Sequence, residues 1–188
     1  TGRLKLALNP IWFVGCGNMS GAMVEGWHLG GADLSDAVVI RPSGRPVGSL
    51  KTVTNYAEAG PPPRLVVLGF KPQQLDEVVP KLAPFLTSRS IVVSILAGVE
   101  AATLRQRFPN AGAIVRALPN IPVAVRRGVV ALYSEDIPDG LRDEVSQLFA
   151  MLGYALCTSG ESNLAAIGSV AGAGPAYVAR FVDALAKA

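Results

Sequence analysis

The sequence predicts an α/β protein built on a doubly wound, mostly parallel β-sheet. Short apolar runs rich in β-branched residues alternate with stretches whose apolar residues recur at helical spacing. This alternation is typical of parallel strands joined by crossover helices. Several runs are apolar at every position, as expected for strands covered by helices on both faces. Hydrophobic residues make up 50% of the 188 residues, which is enough for a sizeable core.

The predicted elements follow from these patterns in chain order. Strands are expected over residues 11–14, 37–40, 65–68, 91–95, 113–115, 128–132 and 154–157. A first helix carries Met19, Met23 and Trp27 at helical spacing and stops at Gly30. Further helices are expected over residues 72–86, where internal prolines shorten or bend the helix, and over 101–108 and 139–152.

The chain is expected to divide near residue 160. Residues 1–160 carry the alternating pattern and form an α/β domain. Residues 161–188 show helices only, the last of them starting at Pro175 and still continuing at the end of the sequence. We therefore expect residues 161–188 to begin a helical domain that this sequence does not complete.

Composition excludes several classes of partner. Lys and Arg total 17 against 14 Asp and Glu, a net charge of +3 that is scattered and favours a small anion over nucleic acid. The uncharged stretch at residues 162–179 is rich in small residues and contains a proline, so no membrane span is expected. The 2 cysteines cannot form a disulfide framework, which favours a reducing, cytoplasmic location. No metal site is expected.

A glycine turn follows the first predicted strand, in the segment IWFVGCGNMSGAMVEGW at residues 11–27. Gly15 permits a sharp turn, Gly17 lets a diphosphate approach the backbone, and the N–H groups of the helix start favour its charge. Ser20 replaces the usual third glycine. The context between strand and helix predicts a Rossmann-like dinucleotide site, with a plain tight turn as the alternative. The candidate residues are Gly15, Cys16, Gly17, Asn18, Met19 and Ser20.

The end of the second strand indicates which dinucleotide binds. NAD-binding folds place an acidic residue there to accept from the ribose 2′-hydroxyl. This strand ends in VVIRPSGRP, which has Arg41, Ser43 and Arg45 and no acid. Since arginine pairs with a 2′-phosphate, the sequence predicts NADP(H). The alternative is that the arginines are solvated loop residues.

The chemistry open to this chain is limited by its few candidate acids and bases. His28, the only histidine, lies near the end of the first helix and is expected to be a surface or capping residue. A hydroxy-acid dehydrogenase of this architecture would carry a lysine and an asparagine where Val178 and Phe181 stand. Reduction of a protonated C=N bond needs less, because the imine is already electrophilic and no alkoxide forms.

Five segments, in this order along nearly the whole chain, resemble the pyrroline-5-carboxylate reductase family. They are FVGCGNMSGAMVEGW, LGFKPQQLDEVVP, VVSILAGV, IVRALPNIPVAV and AGPAYVARFVDALA. The resemblance implies NADPH-dependent reduction of 1-pyrroline-5-carboxylate to L-proline by hydride transfer to the imine carbon. It also implies a Rossmann domain followed by a helical domain through which the protein forms a homo-oligomer.

The resemblance also implies roles for individual residues. The turn at residues 15–20 holds the diphosphate, and Ser43 with its neighbour Arg41 meets the adenosine ribose phosphate. Residues elsewhere in the chain are implied to lie beside the adenine (Asn55), to close on the cofactor ribose (Phe70, Lys71 and Pro72), and to lie near the nicotinamide (Ala97, Gly98, Pro119 and Asn120).

Two departures from the family pattern leave alternatives open. Ala171 and Ala173 stand where the family has serines, and the Ser-Pro-Gly-Gly-Thr-Thr segment that binds the substrate carboxylate is absent. We therefore assign no catalytic residue and expect this chain alone to bind NADPH but to turn over substrate poorly. The alternatives are another NADP-linked oxidoreductase, of the hydroxy-acid or F420-linked type, and a non-catalytic dinucleotide-binding protein.

Overall fold

The computed structural model describes residues 4–5 and 7–187. The strands are β1 (Leu4–Lys5), β2 (Ile11–Val14), β3 (Ala32–Asp33), β4 (Val38–Ile40), β5 (Lys51–Val53), β6 (Leu65–Leu68), β7 (Ile91–Ser94), β8 (Ala113–Pro119), β9 (Gly128–Tyr133) and β10 (Gly153–Cys157). The helices are α1 (Asn18–Leu29), α2 (Leu75–Leu82), α3 (Ala101–Arg107), α4 (Asp139–Ala150) and α5 (Glu161–Ala186). Short 3-10 helices lie at Tyr56–Glu58, Pro72–Gln74, Ala83–Phe85 and Ile121–Val125.

Eight strands form one sheet in the order β5-β4-β2-β6-β7-β8-β9-β10. The pairs from β5 to β8 are all parallel, β9 is antiparallel to β8, and β10 is parallel to β9. Counted from β2 and leaving out the small β1–β3 sheet, the parallel part has the doubly wound order 3-2-1-4-5-6. The predicted fold class is confirmed, and the order reverses between β2 and β6, where such sheets bind ligands.

The core divides between the two faces of the sheet because successive strand residues point in opposite directions. Ile11 and Phe13 of β2 join the cluster that includes Trp27 of α1 and Phe149 of α4. Trp12 and Val14 join the opposite cluster, which includes residues of α2 and α3. Helices on both faces explain why the central strands are apolar at every position.

Strand and helix limits agree with the sequence pattern except where edges and prolines intervene. The sequence reasoning missed β5, because Lys51 and Thr52 of this edge strand are polar, with Lys51 exposed and Thr52 half-buried. It also missed β1 and β3, which have two residues each. It expected β8 to end at Val115, but the strand continues to Pro119 beside β9. The region predicted as a helix over 72–86 is a short α2 with a 3-10 turn at each end, as its prolines require.

The C-terminal helix is continuous, whereas the sequence reasoning expected separate helices with a new one at Pro175. Pro175 lies inside α5 and cannot donate the backbone hydrogen bond to the carbonyl of Ala171, four residues earlier. The side chain of Asn120 donates to that carbonyl instead, with Nδ2 3.0 Å from the oxygen. The helix therefore continues because the bond that the proline removes is replaced from outside. Among the described residues, no helix combines the length and the hydropathy needed to cross a bilayer.

Two glycines of α1 allow a matched test of this packing. A Cβ on Gly26 would lie 2.1 Å from the Val123 carbonyl oxygen, whereas a Cβ on Gly21 meets nothing within 4 Å. We expect Gly26→Ala to destabilise the fold by about 1–3 kcal/mol through overpacking. Gly21→Ala should instead stabilise it by about 0.5–1 kcal/mol, since alanine is the better helix former. Chemical denaturation of both variants measures these shifts, and equal effects would contradict the described contact of α1 with Ile121–Val125.

Candidate dinucleotide site

A cleft of about 620 Å³ opens at the carboxyl ends of the strands around the switch point. We call it the first cleft. It is lined by Val14, Gly15, Cys16, Gly17, Asn18, Met19, Ser20, Ile40, Arg41, Pro42, Ser43, Thr54, Tyr56, Gly69, Phe70, Lys71, Gln74, Glu77, Val78, Lys81 and Ile95. The glycine turn, the basic loop and part of the segment at 70–72 thus meet around one space.

Gly15 is required by conformation and by space. Its φ is +70°, a value that side chains disfavour, and an added Cβ would lie 3.0 Å from both the Gly69 oxygen and the Phe70 nitrogen. Its N–H donates to the Ile40 carbonyl at 2.8 Å, which fixes the turn across β4. The chain therefore leaves β2 in one defined direction.

Gly17 is the N-cap of α1 and faces open space. Its backbone is extended, and an added Cβ would meet only the Gly69 oxygen, at 4.0 Å. The first N–H groups of a helix have no partner within the helix. No acidic residue stands in the first turn of α1, so nothing on it competes with an anion for these donors. This arrangement fits the diphosphate of a dinucleotide.

Ser20 occupies the space beside a second glycine. A Cβ on Gly69 would lie 1.9 Å from the Ser20 Oγ, so only glycine fits at residue 69. The hydroxyl is buried and has no hydrogen-bond partner among the described residues. An unpaired buried hydroxyl costs about 1–3 kcal/mol, and such groups occur at functional sites. Its place in the lining of the first cleft fits a polar ligand.

Cys16 is a poor candidate for a nucleophile. Burial raises the pKa of the Cys16 thiol, and the positive charge of Arg41 offsets this only in part. A thiol with a raised pKa stays protonated at neutral pH. Cys16 therefore contributes a small apolar wall to the turn.

The loop after β4 brings positive charge to the first cleft without a competing carboxylate. Arg41 and Ser43 line the cleft, whereas Arg45 does not. The Arg41 N–H donates to the Val53 carbonyl at 3.0 Å, which ties the loop to β5. The ion pairs of the described residues do not include Arg41. Its guanidinium is thus available to an anionic ligand.

Asn55 lies outside the lining of the first cleft. Its Oδ1 accepts from the Glu58 N–H at 3.1 Å, and its Nδ2 donates to the Glu58 carboxylate, so it caps the 3-10 helix that follows. The neighbouring Tyr56 lines the cleft and stacks on Phe85 at 6.0 Å between ring centroids. Burial raises the pKa of Tyr56 to about 12. The sequence reasoning missed this neutral aromatic wall, although the tyrosine follows Asn55 directly.

The segment Phe70–Pro72 is only partly in the first cleft. Phe70 and Lys71 line it, whereas Pro72 begins a 3-10 helix for which Lys71 is the N-cap. The Lys71 N–H donates to the Gln74 Oε1 at 3.2 Å. Because its backbone is fixed in this way, Lys71 can present a charge at the rim.

Three of the four residues implied to lie near the nicotinamide line a different space. A second cleft, of about 630 Å³, is lined by Ala97, Gly98, Glu100, Arg116, Leu118, Pro119, Glu161, Ser162, Ala165, Gly168, Ala171 and Gly172. Of the two alanines noted in the sequence, Ala171 lines this cleft and Ala173 does not.

Asn120 does not line either cleft. Its Nδ2 donates to the Ala171 carbonyl and its Oδ1 accepts from the Val129 N–H at 2.8 Å. The side chain is buried and holds α5 to the β8–β9 pair. Both polar atoms of the Asn120 side chain are thus used within the protein, so its contribution to a site is to hold α5 in place.

Arg116 and Glu161 are the residues of the second cleft that sequence reasoning missed. Arg116 is 8% exposed, and its Nη1 lies 2.6 Å from the Glu161 Oε1. The available signal was a lone charge in the otherwise apolar strand AIVRALP, since an arginine is rarely buried without a partner.

Comparisons with known proteins agree with this geometry. A family model described as NADP oxidoreductase coenzyme F420-dependent matches residues 10–98, which include the glycine turn and the basic loop. The pyrroline-5-carboxylate reductase of Pseudomonas aeruginosa is 30% identical over 185 residues, covering 95% of this chain and 68% of the relative. The chain belongs to the pyrroline-5-carboxylate reductase family. The resemblance inferred from the five segments is thereby confirmed.

Other family members match with similar extent. The Mycobacterium tuberculosis enzyme of the same name is 32% identical, and the alignment covers 95% of this chain and 64% of the relative. The chain thus spans about two thirds of the length of these relatives. The Coxiella burnetii family structure has a TM-score of 0.83 at 28% identity, covering 95% of this chain and 69% of that one. A Plasmodium falciparum reductase with NADP bound shares the fold, with a TM-score of 0.83 at 23% identity over 93% and 66% of the two chains.

Replacing Gly17 with valine is expected to abolish NADPH binding while the fold is retained. The extended backbone of Gly17 is open to any residue, and a Cβ there touches no atom closer than 4.0 Å. The branched side chain would occupy the space through which a diphosphate approaches the N–H groups of α1. Titration of NADPH fluorescence, together with thermal unfolding, separates binding from stability.

Gly140→Val is the matched control for this substitution. Gly140 lies in the first turn of α4, and an added Cβ there also meets nothing within 4 Å. This variant should bind NADPH with unchanged affinity. Normal NADPH binding by Gly17→Val would place the phosphate site elsewhere.

Proposed function

We propose that this protein reduces 1-pyrroline-5-carboxylate to L-proline with NADPH. Family membership supports the reaction, since the relatives carry the name of that enzyme. The choice of NADPH as cofactor depends on one observation. The glycine turn and the loop bearing Arg41, which contains no acidic residue, line the same cleft. An acid at the end of β4 would repel a 2′-phosphate, whereas arginine pairs with it.

Residues of both clefts would hold the cofactor. In the first cleft, the segment from Gly15 to Ser20 would bind the diphosphate. Arg41 and Ser43 would meet the 2′-phosphate, and Phe70 and Lys71 the ribose. The further candidates are Asn55 and Pro72 through their loops, Ala97, Gly98 and Pro119 at the second cleft, and Asn120 through its hold on α5. Tyr56 is a better candidate than Asn55 for the adenine, since its ring lines the first cleft.

The chain's share of the chemistry is orientation. Bound NADPH would supply a hydride to the imine carbon, and the π electrons of the C=N bond would pass to the protonated nitrogen, which stays in the ring as a secondary amine. Because the protonated C=N bond is already electrophilic, no strong base has to stand beside it. The position of His28 agrees with a reaction that needs no strong base. This histidine lines a separate cavity next to β3 and neither of the two clefts. The second cleft has instead to fix the substrate against the cofactor, which is the main source of rate in such a reaction.

The proposal also covers where the protein is located in the cell, how the chain divides into domains and how it assembles. Free Cys16 and Cys157 favour a reducing compartment, and we propose the cytoplasm. The chain divides near residue 160 in this proposal, with a cofactor-binding domain before it and the start of a helical domain after it. Homo-oligomer formation through the helical part is supported by exposed apolar side chains on α5, namely Val170, Tyr177, Val178, Phe181, Val182 and Leu185.

The cofactor assignment predicts a preference for NADPH over NADH of about tenfold or more. A charge-assisted hydrogen bond contributes about 1.5–3 kcal/mol, which corresponds to this factor. Arg41→Ala should weaken NADPH binding and leave NADH binding nearly unchanged. Titration calorimetry with both cofactors gives the four dissociation constants.

Arg45→Ala is the control, because this exposed arginine of the same loop does not line the first cleft. It should leave the preference unchanged. Equal affinities of the parent protein for NADPH and NADH would contradict the assignment. A larger effect at Arg45 than at Arg41 would move the phosphate contact to the other arginine.

The reaction itself is tested by following NADPH oxidation with the full-length encoded protein. Addition of 1-pyrroline-5-carboxylate should start NADPH oxidation, and L-proline should form in equal amount. Tight NADPH binding with no oxidation would favour a non-catalytic dinucleotide-binding protein. Oxidation with a 2-oxo acid or an oxidised deazaflavin, and none with the imine, would favour another NADP-linked oxidoreductase.

A further inference from the structure

Helix α5 crosses the second cleft and is held to the sheet at two polar contacts. One contact is Glu161 at its first turn, and the other is the Ala171 carbonyl, bound by Asn120. At 1.5 Å per residue, the two contacts lie about 15 Å apart along the helix. Between them, Gly168 packs so closely on β8 that a Cβ there would lie 2.6 Å from Leu118 Cδ1. The width of the cleft therefore depends on both contacts.

A single oxygen of Glu161 joins three elements. Its Oε1 accepts from the Ala101 N–H at 2.8 Å and from the Arg116 Nη1 at 2.6 Å. Ala101 is the first residue of α3, whose own N-cap residue, Glu100, makes no side-chain cap. Glu161 thus supplies the cap that α3 lacks, and its negative charge suits the N-terminus of a helix.

Two of these elements, β8 and α5, line the second cleft, and the loop that leads into α3 lines it as well. The loop before α3 contributes Ala97 and Gly98, β8 contributes Pro119, and α5 forms the opposite wall. The other carboxylate oxygen of Glu161, Oε2, has no hydrogen-bond partner among the described residues. Glu161 is therefore at the edge of the cleft and at the junction of its walls.

We propose that Glu161 is a positioning residue for hydride transfer, which it serves by fixing Ala97–Gly98 and α5 relative to Arg116. The inference rests on the proposed function, since it takes the second cleft as the place of the nicotinamide and the imine. Loss of the junction lets the walls of the cleft move, and a misplacement of about 1 Å in such a site costs about 100-fold in rate.

A second carboxylate that also accepts from a backbone N–H and from an arginine shows what a purely structural role would look like. Asp136 accepts from the Ile114 N–H at 3.0 Å and from Arg105, and so ties α3 to β8. It lines neither cleft. Removal of one partner from such an ion pair destabilises the fold, because the other charge is left partly buried and unpaired. The two carboxylates therefore share their kinds of donor, and only Glu161 lines the second cleft.

The test compares Glu161→Ala and Glu161→Gln with Asp136→Ala in the full-length encoded protein. Two ligands separate the clefts: NADPH, and 2′-phosphoadenosine 5′-diphosphoribose, which lacks the nicotinamide. We expect Glu161→Ala to bind the second ligand within about twofold of the parent protein, since the first cleft is intact. Its kcat should fall about 100-fold, and the fluorescence enhancement of bound NADPH should decrease.

Glu161→Gln should fall between the parent protein and the alanine variant, because its amide oxygen still accepts from the Ala101 N–H. Asp136→Ala should lower the melting temperature and keep kcat within about twofold. A kcat of Glu161→Ala equal to that of the parent protein, or an equal loss in Asp136→Ala, would overturn the inference. Failure of the parent protein to bind 2′-phosphoadenosine 5′-diphosphoribose would overturn the proposed function, and the inference with it.

Discussion

The close approach of two backbone segments at Gly15 and Gly69 sets the geometry of the first cleft. Gly15 leaves β2 with a positive φ, and the Gly69 N–H donates to the Val14 carbonyl at 2.9 Å. Neither glycine has room for a side chain, since the Gly69 oxygen and the Ser20 hydroxyl fill the space. Only with this contact can α1 start directly over the end of the sheet. The N–H groups of its first turn then face the cleft that β4 and β6 border.

The two clefts place different demands on the chain. In the proposed function, the first cleft would bind the anionic cofactor with fixed groups, namely backbone N–H groups and the guanidinium of Arg41, which need no change of protonation. The second is lined largely by small side chains, with the Arg116–Glu161 pair at its edge. Tight packing of α5 on β8 requires such small residues, as Gly168 against Leu118 shows. Under the proposed function, the positive charge of the first cleft would bind the anionic part of the cofactor, and the small side chains of the second would leave room for the nicotinamide and the substrate.

The fold and the first cleft could be predicted because they depend on local patterns. Central strands such as β6 and β7 are continuous apolar runs, and the glycine turn stands between a strand and a helix. The edge strand β5 was missed because a half-exposed strand with Lys51 carries no such pattern. Arg116 and Glu161 lie 45 residues apart, and only the tertiary structure brings them together. The same holds for Asn120 and Ala171, whose contact explains how a helix continues through Pro175.

The proline inside α5 has a consequence for how the helix is seated. In an unbroken helix every interior carbonyl is already bonded, so an outside donor finds no preferred acceptor. Pro175 frees one carbonyl, that of Ala171, and Asn120 recognises it. This contact fixes the position of α5 along its own axis. If the helix slid by one turn, Asn120 would face a carbonyl that is already hydrogen-bonded within the helix. The number of residues between Glu161 and Ala171 is then fixed, since one insertion would turn everything beyond it by about 100°.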